Sequence, residues 1–158
     1  MMKICFVCTG NTCRSVMAER LMKKEIKERK LKEIKVSSRG LSARGENITE
    51  NSKLALKKLK ASSANRKSVQ LKKLDKDTLY VTMTESQKQS LNGQNVISFK
   101  SLIGREVIDP YGQDEEVYMQ TASLLQEGIR VLLEKLKVWR GLWLFLQAIT
   151  QDIFWKKR

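Results

Sequence analysis

Short apolar runs rich in β-branched and aromatic residues alternate with amphipathic stretches along this chain, and that alternation limits its fold more than any other feature. "KICFV" (3–7), "IKVSS" (34–38), "TLYVTM" (78–83) and "NVISF" (95–99) have the length and residue types of buried strands. A helix is expected from about Ser15, with Met17, Ala18, Leu21, Met22 and Ile26 on one stripe. Its outer face is a charge run in which Glu25 should meet Arg29 and Glu28 should meet Lys32, a solvated surface. A second helix is expected near 50–60, capped by Thr49 or Asn51 and striped by Leu54, Ala55 and Leu59. A short one should span about 84–92, and a long one starting near Glu115 should bury Ala122, Leu125, Ile129, Leu132, Leu133 and Leu136. Strands that alternate with helices need crossover connections. The expected fold is therefore α/β: a single-domain three-layer sandwich, flavodoxin-like, with a four-stranded parallel sheet and helices on both faces.

A chain of 158 residues with 41% hydrophobic content can bury a core without disulfide staples. Its three cysteines, Cys5, Cys8 and Cys13, crowd the N-terminus, where nothing resembles a secretory signal, so a reducing cytoplasm is the expected setting. Clustered thiols raise the question of zinc, but a closed site wants four ligands and the chain has no histidine and no fourth cysteine. No metal and no cofactor are expected. The formal net charge of +14 favours anionic partners in general. Without an aromatic platform or a known signature it does not argue for a specific nucleic acid.

The chemistry is concentrated in "CTGNTCRS", residues 8–15, between the first strand and the first helix. In a parallel α/β sheet, ligands bind beyond the carboxyl ends of the strands, where strand order reverses. A loop that wraps there aims backbone N–H groups and a helix N-terminus at one point, which suits a tetrahedral oxyanion such as phosphate. Thr9, Gly10, Asn11, Thr12 and Cys13 form that loop, and Gly10 and Asn11 tolerate the positive φ it demands. Arg14 can fork onto two phosphate oxygens, a planar match that lysine lacks. Cys8 lies at the floor, where the surrounding donors favour a thiolate nucleophile, and Ser15 can donate a hydrogen bond to it. A leaving group displaced by that sulfur needs a proton. "VIDPYG" offers Asp109, kept out of a helix by Pro110, the chain's one proline.

Taken together, "VCTGNTCRS" and "DPYG" resemble the low-molecular-weight protein tyrosine phosphatase family over about residues 3–136. The resemblance implies that Cys8 is the nucleophile that becomes phosphorylated, Arg14 the phosphate clamp and Asp109 the acid that later serves as base. It also implies that Asn11, Ser15 and Ser38 hold the loop in shape and that Cys13 can form a reversible disulfide with Cys8. Within the family the loop looks most like the bacterial protein arginine phosphatase branch. Tyrosine-directed members usually carry Ile or Leu where this chain has Thr12, so Thr12 is the expected selectivity residue. Tyr111 would supply an aromatic wall, and Asp109 and Asp114 would face the cationic guanidinium. The expected function is a phosphoprotein phosphatase acting on phosphoarginine, with phosphotyrosine as the alternative.

Three departures from the family pattern stand out. Val16 replaces a common proline, and Arg66 lies where many members have a histidine that braces the loop, although a solvated lysine-rich loop explains Arg66 equally well. Residues 138–158 extend past the 1–137 phosphatase domain, and their tryptophans and leucines fit a helix that packs on its own domain, touches a membrane surface or pairs two copies, the first of these being the expectation. A thiol arsenate reductase is disfavoured because no cysteine follows Cys13. A non-catalytic basic module that binds anions is the rival of another class.

Overall fold

Side chains alternate along the first strand, β1 (Met2–Cys8), so that Ile4, Phe6 and Cys8 join one apolar cluster while Cys5 and Val7 join another. This strand is therefore covered on both faces. The computed structural model describes residues 1–62 and 65–155, with only the backbone at 140 and 142–155. After β1 the chain forms α1 (Arg14–Glu28), β2 (Ile34–Gly40), α2 (Glu50–Lys58), β3 (Thr78–Thr82) and α3 (Glu85–Leu91). It then forms β4 (Val96–Ser98), α4 (Phe99–Ile103) and α5 (Glu115–Trp155).

All strand pairs are parallel, in the order β2-β1-β3-β4. The order reverses between β1 and β3, so the loop that leaves β1 opens at the switch point. The larger cluster joins Ile4, Phe6, Val81 and Met83 of the sheet side to Met17, Leu21 and Met22 of α1 and to Leu125, Ile129 and Leu133 of α5. On the other face Cys5, Val7, Tyr80 and Val96 pack beneath Leu71, Leu74 and Leu91. Close approach of α5 depends on Gly128, where an added methyl would overlap the buried ring of Phe99.

The fold matches the expectation from sequence; several details differ. Helix α1 stops at Glu28, so Glu28 pairs with Lys24, 3.8 Å away, instead of with Lys32. The Glu25–Arg29 pair forms, at 2.9 Å. In α2 the cap is Thr49, whose hydroxyl accepts from the Ser52 N–H, and the buried pair is Ala55 and Leu56, leaving Leu54 exposed. Helix α4 has no sequence counterpart above because it is a single turn that follows directly from β4. The expected stripe of α5 is buried throughout, and the helix runs past residue 137 without a break to Trp155. Val138 and Trp139 are exposed there. How the side chains at 142–155 pack, and the structure of residues 156–158, lie outside the described residues.

Candidate active site

The loop after β1 is shaped by one asparagine. Asn11 has φ 56°, is fully buried, and uses every polar atom of its side chain. Its amide nitrogen donates to Ser15 Oγ (2.8 Å) and Ser38 Oγ (3.0 Å), and its Oδ1 accepts from Val69 N and Arg66 Nη1, both at 3.0 Å. Gly10 was expected to share the left-handed conformation, yet it does not have a positive φ. Here the glycine that matters is Gly40, at the end of β2: a Cβ there would lie 2.8 Å from Thr9 O and 2.9 Å from Gly10 C. The adjoining backbone closes the rim, with Leu41 N donating to Cys8 O and Ser42 N to Thr9 O, each at 2.9 Å. Thr9 is steadied from α3, where Gln87 Nε2 reaches its hydroxyl at 3.1 Å. Thr12 has its carbonyl held by Thr49 N and Ser52 Oγ.

Cys8 Sγ lies 3.0 Å from Ser15 Oγ and accepts the Asn11 backbone N–H at 3.3 Å. Because Asn11 already donates to the Ser15 oxygen, the serine proton is directed to the sulfur. Two donors thus converge on Cys8, and no side chain caps the N-terminus of α1, whose positive end adds to the same field. All three direct positive potential at Sγ.

Arg14 begins α1 and is buried. Nη1 donates to Val107 O at 3.0 Å, Nη2 pairs with Asp109 Oδ2 at 2.9 Å, and Nε has no hydrogen-bond partner among the described residues. Val107 is itself tied by its N–H to Met83 O, which fixes the Asp109 loop to the end of β3. Asp109 remains half-exposed, and its Oδ1 accepts the Tyr111 N–H. Cys13 points its thiol toward Tyr118 OH (3.3 Å) and Thr49 Oγ1 (3.4 Å). Burial, the hydrogen bond with Cys13 and the charge of Asp109 push the Tyr118 phenol up to about 12, so it stays protonated at neutral pH.

Arg66 settles one open alternative: it is a brace, not a solvated loop residue. Its Nη2 donates to Glu19 Oε2 (3.0 Å) and Ser38 Oγ (2.6 Å) while Nη1 holds Asn11. Ser38 in turn donates to Glu19 Oε2 at 2.6 Å. Burial works to raise the Glu19 carboxyl, but hydrogen bonds from Lys23, Ser38 and Arg66, with the Lys23 charge, outweigh it and hold the carboxyl below its ordinary value. A lowered folded-state value means that the ionised carboxylate stabilises the fold above its unfolded value, and that this is lost as pH falls through the folded one. Arg66→Ala removes one of the groups opposing burial. The carboxyl then protonates at a higher pH, and the acid-unfolding midpoint followed by circular dichroism is expected to move upward relative to the unsubstituted protein.

These groups surround a cleft of about 320 Å³ lined by Cys8, Thr12, Arg14, Glu46, Asp109 and Tyr111, among others. The profile of the family described as low molecular weight phosphotyrosine protein phosphatase matches residues 3–140. The chain belongs to this family. The protein-arginine-phosphatase of Bacillus subtilis is 33% identical over 147 residues, covering 86% of this chain and 97% of the relative. The low molecular weight protein-tyrosine-phosphatase PtpB of Staphylococcus epidermidis is 34% identical over 144 residues, with coverage of 86% and 97%. A solved YwlE arginine phosphatase, a cysteine-to-serine mutant with a phosphorylated active-site serine, superposes with a TM-score of 0.77 at 34% identity, covering 86% of this chain and 96% of its own.

In this low-molecular-weight phosphatase, most residues singled out from the sequence lie in one cleft, with Ser15 and Ser38 directly behind it. Asp114 does not line it. Its Oδ1 accepts the Val117 N–H at the start of α5, which is the work of a helix-capping aspartate. Reading the sequence also missed Glu19, Glu46 and Asn47. Glu19 has a visible signal, because it lies four residues after Ser15 on the buried side of α1. Glu46 and Asn47 have none, since contacts between distant segments, among them the antiparallel bridge between Asn47 and Lys67 and the hydrogen bond from Thr49 N to Thr12 O, bring their loop to the cleft.

Proposed function

We propose that the chain is a cysteine-dependent phosphoprotein phosphatase that hydrolyses phosphoarginine through a phosphocysteine on Cys8. The observation that carries this reading is the convergence of the Asn11 N–H and the Ser15 hydroxyl on Cys8 Sγ, beside a buried Arg14 whose Nε makes no hydrogen bond within the described protein. A phosphate oxygen supplies the acceptor that Nε lacks. The relative with a phosphorylated serine in place of the active-site cysteine supports phosphoryl transfer to that position.

The steps follow from the geometry. The Cys8 thiolate attacks phosphorus, the P–N bond of phosphoarginine breaks, and Asp109 gives its proton to the departing guanidino nitrogen. Asp109, now a carboxylate, takes a proton from water. The resulting hydroxide attacks phosphorus, the S–P bond breaks and the thiolate returns, stabilised by Ser15 and Asn11. Arg14 holds the phosphoryl oxygens throughout, its forked guanidinium already oriented by Val107 O.

Arginine is favoured as the substrate residue by Thr12 at the cleft wall and by the arginine phosphatase relative. A second reading, phosphotyrosine, is supported by the exposed Tyr111 ring at the mouth and by the equally similar tyrosine phosphatase. Steady-state turnover of phosphoarginine, phosphotyrosine and phosphoserine peptides of matched sequence separates them. The arginine peptide is expected to have the highest kcat/KM; a preference for the tyrosine peptide replaces the first reading with the second. Cys13 serves as the redox partner of Cys8, both thiols lining the same cleft, and the free thiols suit a reducing cytoplasm.

A further inference from the structure

Charge in the cleft is distributed unlike charge on the rest of the chain. The sequence has 31 Lys and Arg against 17 Asp and Glu, yet the charged residues lining the cleft are Arg14, Asp109 and Glu46. Arg14 and Asp109 have roles in the chemistry; Glu46 has none in that scheme. We propose that Glu46 is a specificity-determining residue, pairing with the cationic guanidinium that carries the phosphoryl group. This rests on the phosphoarginine reading and extends it.

The carboxylate is unusually well placed for an exposed glutamate. Ser68 Oγ accepts from Gly45 N (3.1 Å) and Glu46 N (2.9 Å), and Ser68 N donates to Glu46 O at 2.8 Å. The Ser68 hydroxyl and the Arg44 N–H then both donate to Glu46 Oε2, at 2.5 and 2.7 Å. Gly45, at φ +83°, makes the turn that allows this. Those hydrogen bonds, that of Ser68 foremost, hold the carboxyl below its ordinary value, so it is charged at neutral pH. Among the described residues no Lys or Arg forms an ion pair with it. A side chain fixed in this way loses little rotamer freedom when it binds, and a planar N–H-bearing cation is the natural complement of a carboxylate.

Selection works in both directions. A guanidinium entering behind its phosphate gains a charge-assisted partner, whereas a phenyl ring on the same path desolvates the carboxylate and offers nothing in return. Losing one charge-assisted hydrogen bond of this kind lowers discrimination by about tenfold.

The test compares kcat/KM for a phosphoarginine peptide and a phosphotyrosine peptide in the full chain and in Glu46→Gln and Glu46→Asp. Glutamine keeps an oxygen for Ser68 and Arg44 but no charge, and aspartate keeps the charge. The arginine-to-tyrosine ratio is expected to fall about tenfold in Glu46→Gln and to recover in large part in Glu46→Asp. An unchanged ratio in Glu46→Gln, whether both rates hold or both fall together, makes the residue a loop brace alone and overturns the inference while leaving the phosphoarginine reading intact. Failure of the unsubstituted protein to turn over the phosphoarginine peptide overturns that reading, and this inference with it.

Discussion

Serine in place of Cys8 is expected to reduce hydrolysis of an aryl phosphate by at least about 10,000-fold while the fold survives, the scale on which removing a nucleophile acts. The substitution is small. An Oγ can accept the same hydrogen bonds from Asn11 N and Ser15 that Sγ accepts now, and Cys8 makes no disulfide that would be lost. What changes is the acidity of the group. A serine hydroxyl gives up its proton far less readily than a cysteine thiol does, and its alkoxide is far harder to form, so attack on phosphorus slows. Near-identical circular dichroism and thermal unfolding, with turnover at the background level, is the expected pair of results. Retention of more than about one per cent of the rate would mean that another group attacks phosphorus, because uncatalysed positioning alone leaves far less.

Asp109→Asn should be the second largest effect, and its signature is a dependence on the leaving group. Asparagine preserves the shape of the loop set by Pro110 and by the Val107–Met83 hydrogen bond, but it has no proton to give. For phosphoarginine, and for alkyl or poorly activated aryl phosphates, the loss should be on the order of 100-fold to 10,000-fold. An activated aryl phosphate leaves without help and should lose much less in the first step. Asp109 also pairs with Arg14 Nη2 at 2.9 Å, and the substitution removes that charge from beside the clamp. Inorganic phosphate is therefore expected to inhibit the variant at least as strongly as it inhibits the unsubstituted protein. Equal losses for good and poor leaving groups, measured as kcat/KM across a leaving-group series, would instead make Asp109 a binding residue.

The brace behind the loop explains why both substitutions can be read cleanly. Cys8 is connected through Ser15 and Asn11 to Ser38, Arg66 and Glu19, and each link is a hydrogen bond of 3.0 Å or less. Because arginine carries its charge at every physiological pH, a loop braced by Arg66 is held alike in acid and neutral solution, until Glu19 itself protonates.

The sequence by itself determined the strand–helix alternation, the parallel sheet and the residues of the loop that leaves β1 and lines the cleft. These are local properties: period-2 and period-3.6 patterns report which face is buried, and "CTGNTCRS" is contiguous, so its loop, helix start and Arg14 arrive together. Asp109 was also legible, through the proline that follows it. Tertiary structure alone decided what the rest of the chain does around that loop. Arg66 reads as one cation in a basic segment until the fold sets it 3.0 Å from both Asn11 and Glu19, 55 and 47 positions away in sequence. Asp114 and Glu46 are both carboxylates in polar loop segments of the sequence, yet one caps α5 and the other lines the cleft. Pairwise contacts over such separations depend on the loop closures and crossings of the whole sheet, and no spacing within a single segment encodes them.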